Sequence, residues 1–209
     1  MNKSFWLLVI LIILTICLAF FHYYFLDLKQ LEINAAKENL SLLQIKKIIS
    51  NYDNLNYTVF AKITINTLIT IISVSFILFF GSFIFNFKNN YIDLLIITIK
   101  AEYLFLLPIL YEIIYFKFFS VNHSIKDIQY FMALSAINFT GYKGLEPWYI
   151  YPLQTLNLFE VAYILYLGFE IAKLTKSAPS EGLKIVVLSY VPALLLWVCT
   201  IMFLTLNKS

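Results

Sequence analysis

Apolar runs of eighteen or more residues recur along this 209-residue chain, and they constrain its fold more than any other feature. A helical stretch of that length matches the hydrocarbon thickness of a bilayer. A membrane barrel needs segments of about 10 residues in which apolar and polar residues alternate. The sequence does not contain such segments. Charged residues make up only 13% of the chain, against about 25% in soluble domains. The sequence therefore predicts an all-α fold, a polytopic membrane helical bundle.

The apolar runs predict about five transmembrane helices in one integral membrane domain, with two amphipathic extramembrane helices between them. The predicted spans are 5–25, 61–87, 91–119, 152–172 and 182–206, and the polar helical segments are 27–57 and 120–146. Pro108 is expected to free the carbonyl of Leu104 and to kink the third span. Ser124 and Asp127 have the spacing of a capping box, which predicts a helix start there.

The first polar segment carries a narrow apolar seam with a seven-residue repeat, which is typical of a helix that packs on one face. The seam consists of Leu28, Leu31, Leu42, Ile45 and Ile49. Asn51 and the three polar or turn-forming residues after it are expected to end the helix. One interpretation is a helix lying on the membrane or on the spans. The other is a docking helix for a partner subunit.

The charge and the reactive residues exclude several function classes. All basic residues are lysines and they are scattered, so the net charge of +3 does not predict a nucleic-acid surface. The two histidines, His22 and His123, lie far apart and have no metal-ligand spacing or adjacent nucleophile. Cys17 and Cys199 lie inside apolar runs and are expected to be inert thiols. We expect no catalytic residues, no metal and no cofactor.

Charged residues inside the predicted spans are the remaining candidates for chemistry, because a charge at mid-bilayer costs about 2.5–3.5 kcal/mol and usually pairs inside the bundle. The candidate intramembrane polar network consists of Glu160, Glu112, Lys62, Glu102, Lys100, Lys184, Glu170 and Lys173. Lys62 is a candidate partner of Glu112 or Glu160, and Lys184 or Lys100 of Glu102. Glu170 and Lys173 have the i,i+3 spacing of a helical ion pair.

Two interpretations of this network stay open. It is either an internally neutralised set of contacts that fixes helix register or a functional site. As a functional site it would relay protons or ions, or line a polar substrate cavity. Glu160 is the strongest candidate for a functional acid.

The last two spans resemble the bacterial branch of the Yip-type (Ypt-interacting) membrane protein family. The resemblance rests on Leu156–Glu160 at the start of one span, on the lysine turn at Lys173–Lys176, and on Val191–Leu195 with its mid-helix proline. Gly81 and Pro108 also match. The N-terminal cytosolic region of eukaryotic members is missing, so a GTPase partnership does not follow.

The resemblance implies a five-span membrane protein without catalytic residues, with its N-terminus inside and its C-terminus outside. Short lysine-bearing loops on the inner side favour the same orientation, and the composition suggests a bacterial inner membrane. The leading hypothesis is a non-enzymatic protein that binds membrane lipids or other membrane proteins in a complex; a homo-oligomer stays open. The alternative is a transporter or permease subunit for small solutes or ions that uses the intramembrane glutamates. An intramembrane enzyme is the weakest hypothesis.

Overall fold

The computed structural model describes residues 2–37, 42–87, 89–120 and 123–207, with backbone only for residues 2, 3, 42, 43 and 45–57. Across these ranges the chain is helical, and no strand occurs in them beyond one isolated β-bridge. The helices are α1 (Asn2–Phe25), α2 (Leu28–Lys37), α3 (Leu42–Ile84), α4 (Tyr91–Glu102), α5 (Leu106–Phe118), α6 (Ile125–Tyr130), α7 (Ile137–Thr140), α8 (Pro147–Thr155), α9 (Leu158–Thr175) and α10 (Pro179–Leu206).

The prediction of an all-helical membrane bundle is confirmed. In the part of the chain that the structure describes, four helical stretches are long and apolar enough to cross a membrane. They are Ser4–Phe25, Thr58–Ile84, Tyr91–Phe118 and Pro179–Leu206. Large apolar side chains cover their outer surfaces, as expected where lipid rather than water surrounds the bundle.

The helix disruption expected near Leu104 is present in the third span. A 3₁₀ turn at Tyr103–Phe105 separates α4 from α5, one turn before Pro108, which has no N–H to donate back to Leu104. The Tyr103 hydroxyl donates to the Leu7 carbonyl oxygen at 2.6 Å and fixes this turn against α1. The third span is therefore two helical halves joined at a point held by the first span.

The predicted continuous span 152–172 is wrong in one respect, because the chain is broken between α8 and α9. Leu156 leaves the helical conformation at ψ 80°, and Asn157 caps the start of α9. Both halves pack along α10. Glu160 contacts Tyr190 and Tyr151 contacts Trp197, so the break lies opposite the stretch of α10 between these two residues. That stretch is near the middle of a 28-residue helix, roughly 20 Å from either end.

The predicted bounds of the two polar segments also need correction. Helix α2 ends at Lys37, and α3 then runs from Leu42 to Ile84 without a stop at Asn51. The turn formers there are overridden because the helix continues directly into an apolar span. In the second segment, predicted as helical over 120–146, the helix that starts after Ser124 ends at Tyr130, and 131–136 is irregular.

The capping box predicted at Ser124 and Asp127 is confirmed. The backbone N–H of Asp127 donates to Ser124 Oγ, and the Ser124 N–H donates to Asp127 Oδ2 at 2.7 Å. The Tyr142 hydroxyl donates to the other carboxylate oxygen at 2.6 Å. Burial raises the pKa of Asp127, but the hydrogen bonds from Tyr142 and Ser124 outweigh it, so the pKa lies below its ordinary range. The carboxylate therefore joins both ends of the 124–142 segment.

The main core lies where α3, α4, α9 and α10 meet. Leu78, Leu94, Leu167 and Val186 are fully buried there, one from each helix. Gly168 and Gly182 bring α9 and α10 into backbone contact. This close pair of helices positions the broken span against the rest of the bundle.

Candidate functional site

The break between α8 and α9 is built around the side chain of Asn157. Its Oδ1 accepts from the Glu160 N–H at 2.8 Å, and its Nδ2 donates to the carbonyl oxygens of Gln154 and Thr155 at 3.0 and 3.1 Å. One amide side chain thus satisfies the last turn of α8 and the first turn of α9. This matters because unsatisfied backbone groups are costly away from water.

A second segment of irregular backbone completes the break. The Ala136 N–H donates to the Leu156 carbonyl oxygen at 2.9 Å, and the Leu158 N–H donates to the Leu134 carbonyl oxygen at 3.1 Å. These bonds form an isolated antiparallel bridge between Ser135 and Asn157, both of which are buried. Non-helical backbone at membrane depth is tolerated where protein covers it or where it lines a cavity.

A cleft of about 600 Å³ opens beside the break. Its walls come from the break itself, the adjoining face of α9, residues 134–139 and α10 between Val191 and Val198. Most of the lining is aliphatic or aromatic. At its rim Leu156 and Leu158 are exposed, and Phe139 is 93% exposed. The cleft is thus open to the side of the bundle through an apolar mouth.

Most polar side chains in the cleft already form hydrogen bonds to backbone groups a few residues away in sequence. Ser135 donates to the Met132 carbonyl oxygen at 2.7 Å, and Thr155 donates to the Tyr151 carbonyl oxygen at 2.9 Å. The Asn157 side chain forms the hydrogen bonds that cap α8 and α9 at the break. Among the described residues, Glu160 is the one charged side chain that lines the cleft.

Two glutamate–tyrosine pairs lead from the cleft into the core. The Tyr190 hydroxyl donates to Glu160 Oε1 at 2.8 Å, and the Tyr163 hydroxyl donates to Glu102 Oε1 at 2.9 Å. The rings of Tyr163 and Tyr190 lie 5.6 Å apart. Tyr163 is fully buried and Glu102 is 9% exposed. The four side chains form one connected acid–tyrosine cluster that reaches from α4 to α10.

Part of the predicted polar network is confirmed. Lys173 Nζ lies 2.8 Å from Glu170 Oε1, as the i,i+3 spacing indicates. Lys100 Nζ approaches the other oxygen of Glu170 at 4.0 Å. The expected pairing of Lys100 with Glu102 is therefore wrong, because Lys100 pairs with Glu170 instead. The lysine side chain extends toward the partly exposed end of α9 instead of the core.

The other predicted partners of the acids are wrong. Lys62 lies exposed on α3 and pairs with neither Glu112 nor Glu160. Glu112 instead lies 3.2 Å from His22 Nε2 on α1. Lys184 lies over the Phe85 ring at 5.7 Å and does not reach Glu102. The tyrosines take the role expected of lysines because a neutral donor costs less to bury than a charge.

The predicted docking seam is described only in part. Leu28 and Leu31 pack against a small core of Leu26, Phe116 and Ile128, so this part of the seam faces the protein itself. The side chains of Leu42, Ile45 and Ile49 lie outside the described residues. For the first helical turn of the seam, packing on the chain's own spans is therefore the better interpretation.

Sequence reasoning missed Asn157, Tyr163 and Tyr190 as site residues. A signal for the first was present, because asparagine followed three residues later by glutamate just before an apolar run is a helix-start pattern. The two tyrosines had no such signal, since their significance depends on which acids face them across the bundle.

Among the residues that the structure describes, no group of three or more His, Cys, Asp or Glu side chains could hold a metal ion. Comparisons of this chain with protein-family models, with curated proteins and with solved structures find no match.

Proposed function

We propose that this protein is a non-enzymatic membrane protein that acts by binding lipid, with lipid hydrocarbon held in the cleft beside the broken span. The observation that supports this most is the cleft itself: about 600 Å³, almost wholly apolar, and open to the side of the bundle. Pockets of roughly 300–1,000 Å³ accommodate small organic ligands. An apolar mouth at mid-span faces hydrocarbon and not water.

The chemistry of the lining favours a lipid chain over a partner helix. Helices associate in membranes through stripes of small residues and through hydrogen bonds across the interface. Backbone carbonyl oxygens already accept hydrogen bonds from the hydroxyls of Ser135 and Thr155 and from the amide of Asn157. Bulky side chains such as Leu158, Ile164 and Leu195 fill much of the wall. This surface offers a hydrocarbon chain dispersion contacts and offers a helix few directional ones.

Cleft filling tests this proposal. Val161 lines the cleft on α9 and is half-exposed. Val161→Trp should therefore occupy the space and sharply reduce cross-linking to a lipid with a diazirine in its acyl chain. Leu165→Trp is the matched control, because Leu165 is equally exposed on the same helix outside the cleft. Cross-links are mapped by peptide mass spectrometry after reconstitution.

Equal labelling of the α9 and α10 cleft walls in the Val161→Trp variant and in the Leu165→Trp control would reject the cleft as a lipid site. Recovery of a second protein cross-linked at these walls would favour the partner-binding hypothesis instead.

The membership in the bacterial Yip-type family stays a prediction, and we include it in the proposal together with a bacterial inner-membrane location. With α8 and α9 counted as one broken crossing, the chain passes the membrane five times, which puts its termini on opposite sides. We propose the N-terminus inside, because Lys173, Lys176 and Lys184 then fall on the cytoplasmic side.

A second candidate is a transporter for a small solute or an ion, and the acid–tyrosine cluster favours it. Discontinuous helices near the bilayer midplane commonly form substrate and ion sites in transporters. Glu160 joins the cleft to Tyr190, Tyr163 and Glu102 within such an arrangement. The apolar lining of the cleft makes this the weaker proposal.

Glu160→Gln separates the two candidates. The amide still accepts from Tyr190 but carries no exchangeable acid proton, so a transporter should lose proton or solute flux in proteoliposomes by at least about tenfold. A lipid-binding protein should keep its lipid labelling and its elution as an assembled species. Glu181→Gln, at the exposed start of α10, is the control. Normal flux in the Glu160→Gln variant would remove the functional-acid hypothesis.

A further inference from the structure

A second pocket, lined by other residues than the cleft, lies where α1 and α5 end. It has a volume of about 250 Å³, and its polar lining residues are Asp27, Gln30, Lys117 and His123. Phe25, Leu26, Leu31 and Phe116 form its apolar part. Among the residues that the structure describes, none that lines this pocket also lines the proposed lipid cleft.

The pocket lies at the level where a membrane surface meets the bundle. Helices α1 and α5 run in the same direction, because His22 meets Glu112 and, four residues further on, Leu26 packs with Phe116. The two apolar spans end at Phe25 and Phe118. Asp27 and Lys117 therefore both lie at one end of the spans, in the layer that lipid headgroups occupy.

Opposite charges line this pocket without neutralising each other. Asp27 and Lys117 are both exposed, and in the described part of the chain neither forms an ion pair with the other. The Lys117 ammonium lies 5.9 Å from the centre of the Phe25 ring, which draws it toward the pocket wall. Each charge thus remains available to a ligand of the opposite sign.

His123 adds a second nitrogen on the pocket wall. Its Nδ1 lies 2.6 Å from the Ser120 carbonyl oxygen, and this contact requires a proton on Nδ1. Its ring packs at 4.9 Å from the ring of Phe116. Held in this way, His123 leaves Nε2 as its remaining polar atom, which in the neutral ring is a hydrogen-bond acceptor.

We propose that this pocket binds the headgroup of a zwitterionic phospholipid with a primary ammonium, such as phosphatidylethanolamine. Asp27 receives the ammonium, and Lys117 receives the phosphate. The acyl chains extend along the apolar surfaces at the ends of α1 and α5. A volume of about 250 Å³ suits a headgroup and is below the usual range for a whole ligand.

Because the pocket carries both a carboxylate and an ammonium group, we expect it to prefer one class of lipid headgroup. Phosphatidylglycerol has a phosphate but no ammonium group, so it leaves the Asp27 carboxylate without a partner. Phosphatidylethanolamine satisfies both sides, and each charge-assisted hydrogen bond strengthens it. The wild-type protein should therefore retain phosphatidylethanolamine in preference to phosphatidylglycerol.

Native mass spectrometry of the full chain in mild detergent, titrated with each lipid, tests the site. Asp27→Asn should lower retention of phosphatidylethanolamine by about tenfold and leave phosphatidylglycerol unchanged or improved. Lys117→Gln should weaken both lipids. Lys126→Gln, an exposed lysine on α6 outside the pocket, should weaken neither. Unchanged phosphatidylglycerol retention in Asp27→Asn also shows that this variant is folded.

Three results would overturn the proposal. One is a phosphatidylethanolamine preference that survives both Asp27→Asn and Lys117→Gln. Another is competition by inorganic phosphate that removes the lipid completely, which would make the pocket an anion site only. The third is loss of the preference in Val161→Trp alone, which would assign it to the cleft. The lipid cleft can fail its own test without affecting any of these outcomes.

Discussion

Replacing Gly182 with leucine is expected to prevent α9 and α10 from packing together. A Cβ at Gly182 would overlap the Gly168 carbonyl oxygen and would lie 2.6 Å from the Ala172 nitrogen. Backbone atoms cannot move aside as a flexible side chain can, so the helices must separate. Overpacking usually costs about 1–3 kcal/mol, and we expect a value at or above the top of that range. Size-exclusion elution and the thermal midpoint in detergent measure the effect.

Ser180→Leu is the matched control, because Ser180 is exposed two residues earlier in the same helical turn. It should elute and melt like the wild-type protein. If Gly182→Leu also does so, the close contact between α9 and α10 does not exist as described.

Asn157→Leu should produce the second large effect. The substitution leaves the Glu160 N–H and the carbonyl oxygens of Gln154 and Thr155 without their side-chain partner at the centre of the bundle. The Thr155 carbonyl oxygen keeps the backbone N–H of residue 157 as a donor, so two groups are left unsatisfied. A buried unsatisfied polar group costs about 1–3 kcal/mol, so the two together should lower the thermal midpoint by about 10 °C, taking about 2–4 °C per kcal/mol.

The graded variant Asn157→Ser makes the cause visible. Serine keeps an N-cap acceptor for the Glu160 N–H and loses the amide donors without adding a charge, so it should fall between asparagine and leucine. Asn66→Leu, at an exposed position of α3, provides the control. A melting curve for Asn157→Leu equal to that of the control would mean that the Asn157 side chain does not stabilise the break between α8 and α9.

The fold class could be predicted because span length and hydropathy depend on local sequence alone. The capping box at Ser124 and the helix disruption near Leu104 could also be predicted, since each depends on two or three neighbouring residues. The ion pair between Glu170 and Lys173 could be predicted for the same reason, since it joins residues three apart on one helix. Local chemistry determined these features, and tertiary contacts did not override it.

The broken span and the partners of the acids depend on residues distant in sequence. Leu156 and Asn157 lie within an apolar run, and their break is stabilised by Leu134 and Ala136 from another segment. Glu102 is paired 61 residues away with Tyr163. Charge complementarity favoured Lys62 and Lys184 as partners, whereas tyrosine hydroxyls meet the acids without burying a second charge.

The absence of water from the cleft is the central claim, because it separates lipid binding from solute transport. A fluorophore on Leu156→Cys would report it, in a background where Cys17 and Cys199 are replaced by alanine. Leu156 is exposed and lines the mouth of the cleft. In proteoliposomes, a cleft filled by lipid should allow quenching by lipids that carry a nitroxide deep in the acyl chain and none by aqueous iodide. Strong quenching by iodide, from either side of the membrane, would contradict it.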